Sequence, residues 1–116
     1  MKDNVVKDKS LEFAVRIVNL YKFLVNEQKE FVMSKQILRS GTSIGANIRE
    51  AEQAQSRADF INKLNIALKE ANETEYWLEL LIRTEYITRE QYESINNDST
   101  EINKLLISII CLLYTS

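Results

Sequence analysis

The sequence predicts an all-α protein folded as an antiparallel, up-down-up-down four-helix bundle. Three observations point there. The 116 residues include no proline and two glycines, so little breaks the chain into short elements. Apolar residues recur at steps of three and four in separate segments, as bundle packing requires. The connections between those segments are short and polar, which favours antiparallel neighbours. An alternative within the class is a pair of helical hairpins that completes its core by oligomerising. The length suits one domain over residues 1–116.

Helix 1 is expected from about Ser10 to Asn26. It carries Leu11, Phe13, Ala14, Val15, Ile17, Val18, Leu20, Tyr21, Phe23, Leu24 and Val25, too many for one narrow stripe. Such a helix is central in its domain or covered on a second side by a partner. Residues 26–30 form a polar connection, and Ser34 is the expected N-cap of helix 2. The seam of helix 2 is Ile37, Gly41, Ile44, Ile48 and Ala51.

Ser56 followed by Asp59 forms a capping box with Asp in place of Glu, opening helix 3. Its stripe is Phe60, Leu64, Ala67, Ala71, Thr74, Leu78 and Leu81, widened by Ile61, Leu68 and Ile82. Thr88 with Gln91 is a second capping box, and Ile87 with Tyr92 a hydrophobic staple. Helix 4 then presents Tyr92, Ile95, Ile102, Leu105, Leu106, Ile109, Ile110 and Leu113. The polar run Asn96-Asn97-Asp98-Ser99 is its expected weak point, open to kinking or fraying.

The chemistry that is missing narrows the function. No histidine removes Ser-His-Asp and Cys-His catalysis, HExxH zinc sites and Glu-x-x-His di-iron sites. One cysteine, Cys111, permits neither an intrachain disulfide nor a cysteine metal cluster. The N-terminus lacks the apolar stretch of a secretory signal. The most apolar run, residues 105–114, is half of the ~20 residues that span a bilayer. The expectation is a cytoplasmic protein without membrane anchor, with Cys111 as an inert core thiol. It is expected to be no enzyme, with no cofactor, metal or small-molecule substrate.

Helix 2 departs most from a plain bundle helix. Small residues fill Ser40 to Ala46, where helix propensity is poor. Gly41 and Gly45 lie four apart and suit a close helix approach, within one chain or at a subunit interface. A polar stripe runs beside the seam through Gln36, Ser40, Ser43, Asn47 and Glu50. It reads as a structural network or interface, with Glu70 or Lys69 of helix 3 as the expected partner, or as a ligand site. Opposite the seam run Lys35, Arg39, Thr42, Ala46, Arg49 and Gln53, a solvated face or a phosphate-tracking one.

The formal charge of −2 conceals a gradient: residues 35–69 carry +3 and residues 70–101 carry −7. In an up-down bundle Arg49, Arg57 and Lys63 gather at one pole, with Lys7 and Lys9 nearby. Glu79, Glu85, Glu90 and Glu93 gather at the other. A polyanion is expected to approach the basic pole. The candidate nucleic-acid contacts are therefore Lys35, Arg39, Arg49, Arg57 and Lys63. Glu70, Glu73, Glu75 and Glu79 are read as solvated charge or one buried ion pair rather than a metal site, since Glu73 and Glu75 point to different sides of a helix.

The pattern Gln36, Arg39, Ser40, Ser43, Ile44, Asn47, Ile48 and Glu50 resembles the 23S rRNA intervening-sequence protein family. So do Asp59-Phe60, residues 66–78 and the opening Lys9-Ser10-Leu11-Glu12-Phe13-Ala14. The resemblance implies an antiparallel four-helix bundle that assembles as a homopentamer, without known enzymatic activity. Some members are encoded within insertions in bacterial 23S rRNA genes. A similar fold serves as the accessory protein of diversity-generating retroelements, where a basic pentamer binds nucleic acid and the reverse transcriptase. This chain departs from that protein in being slightly acidic. It also has Arg49-Glu50-Ala51-Glu52 where many relatives show Glu-Gly. Two functional readings follow: a homo-oligomer that binds RNA or other nucleic acid through its basic pole, or an assembly module that binds none.

Overall fold

A computed structural model describes residues 2–115 of the chain, all four helices among them. The helices are α1 (Lys2–Asn26), α2 (Met33–Ala51), α3 (Arg57–Arg83) and α4 (Arg89–Thr115). Each packs against the next, and α4 closes the ring onto α1. A connection of five or six residues reaches at most about 20 Å, whereas a 27-residue helix is about 40 Å long. The chain must therefore reverse at each connection, and the molecule extends over 46 × 21 × 19 Å. This is the bundle that the periodicity predicts.

The expected stripes are the buried ones. Ile37, Gly41, Ile44, Ile48 and Ala51 line the core from α2, and Leu64, Ala67, Ala71, Thr74, Leu78 and Leu81 from α3. Phe13, Ile17 and Leu24 of α1 meet Ile102 and Leu106 of α4 in the same core.

Four local expectations are corrected. Helix α1 begins at Lys2, not Ser10. The Ser10 hydroxyl donates back to the Lys7 carbonyl at 2.9 Å, so it is an interior helix residue. Ser34 does not cap α2. The buried Glu30 carboxylate does, accepting the N–H groups of Val32, Met33 and Ser34 at 3.2, 3.0 and 2.7 Å. A carboxylate at a helix N-terminus satisfies orphan donors and matches the dipole. Helix α4 runs unbroken through residues 96–99. There Ser99 continues the buried stripe of Ile95, Ile102 and Leu106, and Asp98 receives Arg16 of α1 at 2.7 Å. Cys111 is exposed, because it follows Ile110 off that stripe.

Of the two expected capping boxes, that of Thr88 and Gln91 forms in full and that of Ser56 and Asp59 in half. The Ser56 side chain accepts from Asp59 N at 3.1 Å, although Asp59 reaches back to Gln55 N at 3.4 Å rather than to Ser56. Thr88 and Gln91 bond reciprocally at 2.8 and 3.1 Å. Helix α3 ends in a Schellman turn, with Tyr86 N on Leu81 O (2.9 Å) and Glu85 N on Ile82 O (3.0 Å). Glu85 there takes a left-handed φ of 67° without being glycine.

Candidate nucleic-acid interface

The two flanks of α2 organise the candidate residues. Toward α1, Gly41 is fully enclosed. A Cβ at that position would stand 2.7 Å from Ile17 Cγ1 and 2.9 Å from its Cγ2. Gly45 is looser, its Cβ position lying 3.3 Å from Ser10 Oγ. Of the two readings left open for these glycines, the structure shows a close crossing within one chain.

Toward α3 the contacts are polar. The Ser40 and Thr74 hydroxyls are 2.9 Å apart in the core, and Thr74 Oγ1 also bonds the Glu70 carbonyl at 2.8 Å. The link from the polar stripe to α3 thus runs through Thr74. The Glu70 side chain, expected in that network, turns instead to Arg39 at 3.2 Å. Ser43 and Asn47 bond each other within α2 at 3.0 Å. Glu50 pairs with Lys63 at 3.0 Å, and Gln36 is exposed. Thr74 was legible as a core residue, but a serine-to-threonine pairing across helices has no sequence spacing to reveal it.

Arg39 spans both Glu70 and Glu73. The Glu73 carboxyl is held below its ordinary range, first by the Trp77 indole N–H at 3.0 Å and then by Arg39, against the opposing effect of burial. Lys63 is raised by its hydrogen bond to Glu50 and by the attraction between their charges. The dense carboxylates of α3 therefore part company. Glu70 and Glu73 face α2, Glu75 accepts from Asn103 of α4, and Glu79 pairs with Arg83 at 3.1 Å. No three metal-ligating side chains cluster among the described residues.

The five candidate cations fall into two groups. Arg39 and Lys63 are ion-paired, and the Arg57 guanidinium donates to the Leu113 carbonyl near the end of α4. Lys35 and Arg49 are exposed and carry no ion pair among the described residues. Arg49 and Lys7 edge one groove of about 280 Å³ between α1 and α2. Lys7 is tied to Glu52 at 3.1 Å and Lys9 to Glu101 at 3.2 Å. The end of α2 thus holds the expected cations, many already matched by acids.

Two further cations were missed. Lys22 lies one turn before the end of α1, and Lys29 sits in the α1–α2 connection with a left-handed φ of 55°. With Lys35 they bracket exposed Phe31 and Val32, and none of the three is ion-paired among the described residues. Counting charge over residues 1–34 hid them behind Glu30, which is buried as a helix cap, behind Asp8 and Glu12 toward the start of α1, and behind exposed Glu27 in the same connection.

The fold and its surface define a class: a four-helix bundle tied by interhelical polar contacts, with charged and apolar patches on its outside. The family model of the 23S rRNA-intervening sequence proteins matches residues 2–108, and the chain belongs to that family. A crystal structure of a protein of unknown function from the S23 ribosomal protein family of Bacteroides thetaiotaomicron VPI-5482 is 98% identical. The match covers 95% of each chain with a TM-score of 0.91. No curated protein matches. Among the described residues, no helix is long and apolar enough to cross a membrane.

Proposed function

We propose that this protein is a non-enzymatic cytoplasmic bundle that works by binding, assembling with copies of itself and taking RNA as an anionic ligand. The observation that carries the RNA reading is a set of cations without acid partners at the end of the bundle opposite Arg49 and Lys63, an end that also holds Glu85 and Glu90 of the α3–α4 turn. Lys22, Lys29 and Lys35 lie along the stretch from the end of α1 to the first turn of α2, which also carries Phe31 and Val32, 52% and 72% exposed, and Arg49 stands at the other end of α2. Lysines of this kind neutralise phosphates, and an exposed ring offers a face to an unpaired base. Self-assembly is supported by apolar side chains on the outside of two helices, Leu11 and Val15 on α1 and Ile107, Leu112 and Tyr114 on α4. A homopentamer, as the family resemblance implies, multiplies each weak phosphate contact.

The test is filter binding of RNA over a salt series, with light scattering on the same preparation. Binding at low salt that weakens as salt rises is expected. Charge reversal at Lys22, Lys29 and Lys35 should weaken it more than Arg49→Glu with Arg57→Glu. No binding at low salt removes the RNA reading, and a monomer mass at micromolar concentration removes self-assembly. The second reading, an assembly module without nucleic acid, is favoured by the pairing of Arg39, Lys63 and Lys7 with acids. An oligomer that retains no RNA selects it.

A further inference from the structure

The contact between α3 and α4 holds one carboxylate against one carboxamide. The Asn103 Nδ2 group donates to Glu75 Oε1. Asn103 is only 9% exposed, and its Oδ1 is buried with no hydrogen-bond donor among the described residues. An ionised Glu75 has no proton to offer that oxygen. A buried acceptor left unmatched is destabilising, and the low dielectric around it sharpens the effect. Carboxylic acid and carboxamide are complementary when the acid is neutral. The acid's O–H donates to the amide oxygen while the amide N–H donates to the acid's carbonyl oxygen.

We propose that Glu75 and Asn103 form a proton-operated latch: protonation of Glu75 supplies the donor that the buried Asn103 oxygen lacks, and so ties α3 more tightly to α4. Two independent features point the same way, the unmatched amide oxygen and the partial burial of the acid. Burial pushes the Glu75 carboxyl above its ordinary range, with no opposing charge. The surrounding charges are engaged elsewhere or exposed. On α3, Glu79 pairs with Arg83, and Glu70 and Glu73 turn to Arg39 of α2. On α4, Asp98 and Glu101 pair with Arg16 and Lys9 of α1, and Lys104 beside Asn103 is exposed. On α2, Glu50 is held by Lys63.

The sign follows from linkage. The folded chain holds this proton more tightly than the unfolded chain. The latch therefore contributes fully below the unfolded carboxyl value and is lost as pH rises through the raised folded one. This is opposite to Glu73, whose lowered carboxyl stabilises at higher pH.

Glu75→Gln tests the idea, because glutamine presents the donor and acceptor of the neutral acid at every pH. Thermal melts of the full chain and this variant are compared from pH 4.5 to 8, and the difference cancels all other titrations. At pH 8 the variant should melt about 3 °C above the parent, and the gap should close as pH falls. Carboxyl NMR of ¹³C-labelled parent protein should place Glu75 above the ordinary glutamate value of about 4.3, a readout that needs no variant. A gap that does not change with pH, or a Glu75 that titrates at or below the ordinary value, overturns the latch.

Discussion

Helix α2 meets α1 through glycine and meets α3 through hydroxyls and charge. On the first flank nothing but backbone fits at residue 41, with Ile17 Cγ1 standing 2.7 Å from where a Cβ would be. On the second, Ser40 touches Thr74 in the core and Arg39 spans two glutamates at the rim. The first contact is governed by shape and tolerates almost no added volume. The second is governed by complementarity and tolerates small changes of shape while its polar atoms stay matched. One helix therefore has one seam but two different sensitivities.

The largest expected effect breaks the close flank. Gly41→Ala forces a methyl group into Ile17, whose branched side chain is fully buried and stiff at χ1. Overpacking of about 1–3 kcal/mol, less the ~1 kcal/mol that alanine returns in helix propensity, leaves a net loss of up to about 2 kcal/mol. Urea unfolding measures it, and an unchanged midpoint would show that α1 can slide away. Next comes Ser40→Ala. Thr74 keeps its bond to the Glu70 carbonyl, so no buried group is orphaned and the loss should be about 1 kcal/mol.

Smaller still, Arg39→Ala should change stability at neutral pH by about 0–1 kcal/mol, since the pair lies at the surface. Its signature is in pH. Glu73 stabilises the fold above its unfolded value, and that stability is lost as pH falls through its lowered folded value. Without Arg39 the Glu73 carboxyl should rise, and Trp77→Phe should raise it too, because the indole hydrogen bond is the largest single cause of its lowering. Carboxyl NMR titration reads both. The smallest effect belongs to Gly45→Ala. At 3.3 Å from Ser10 Oγ the added methyl needs only a slight adjustment. The gain in helix propensity should leave the variant unchanged or a few tenths of a kcal/mol more stable. A large loss there would mean that the two glycines act alike and that the close flank extends further than Gly41.

Much of this was legible beforehand. The 4-3 steps of α2 and α3 named the buried residues, because a helix that packs along one line must repeat its apolar side chains at that spacing. The Thr88–Gln91 box was legible because both of its bonds join residues three apart in sequence. The start of α2 was not, because its cap is Glu30, outside the short list of N-cap residues and reaching its donors from before the helix. Cys111 was misplaced because a continuous apolar run does not say which residues face inward. Lys22 and Lys29 escaped notice because their significance lies in the acids they do not meet.

The sequence alone determined four helices, their order, their buried stripes and the want of histidine-based catalytic machinery. These depend on local periodicity and on residue types, which the chain carries in itself. Only the tertiary structure decided that the glycines serve α1, that Thr74 answers Ser40, which cations are left unmatched, and that Glu75 faces an unsatisfied amide. Each of these is a pairing between residues remote in sequence. Their distances arise only when the helices settle against one another.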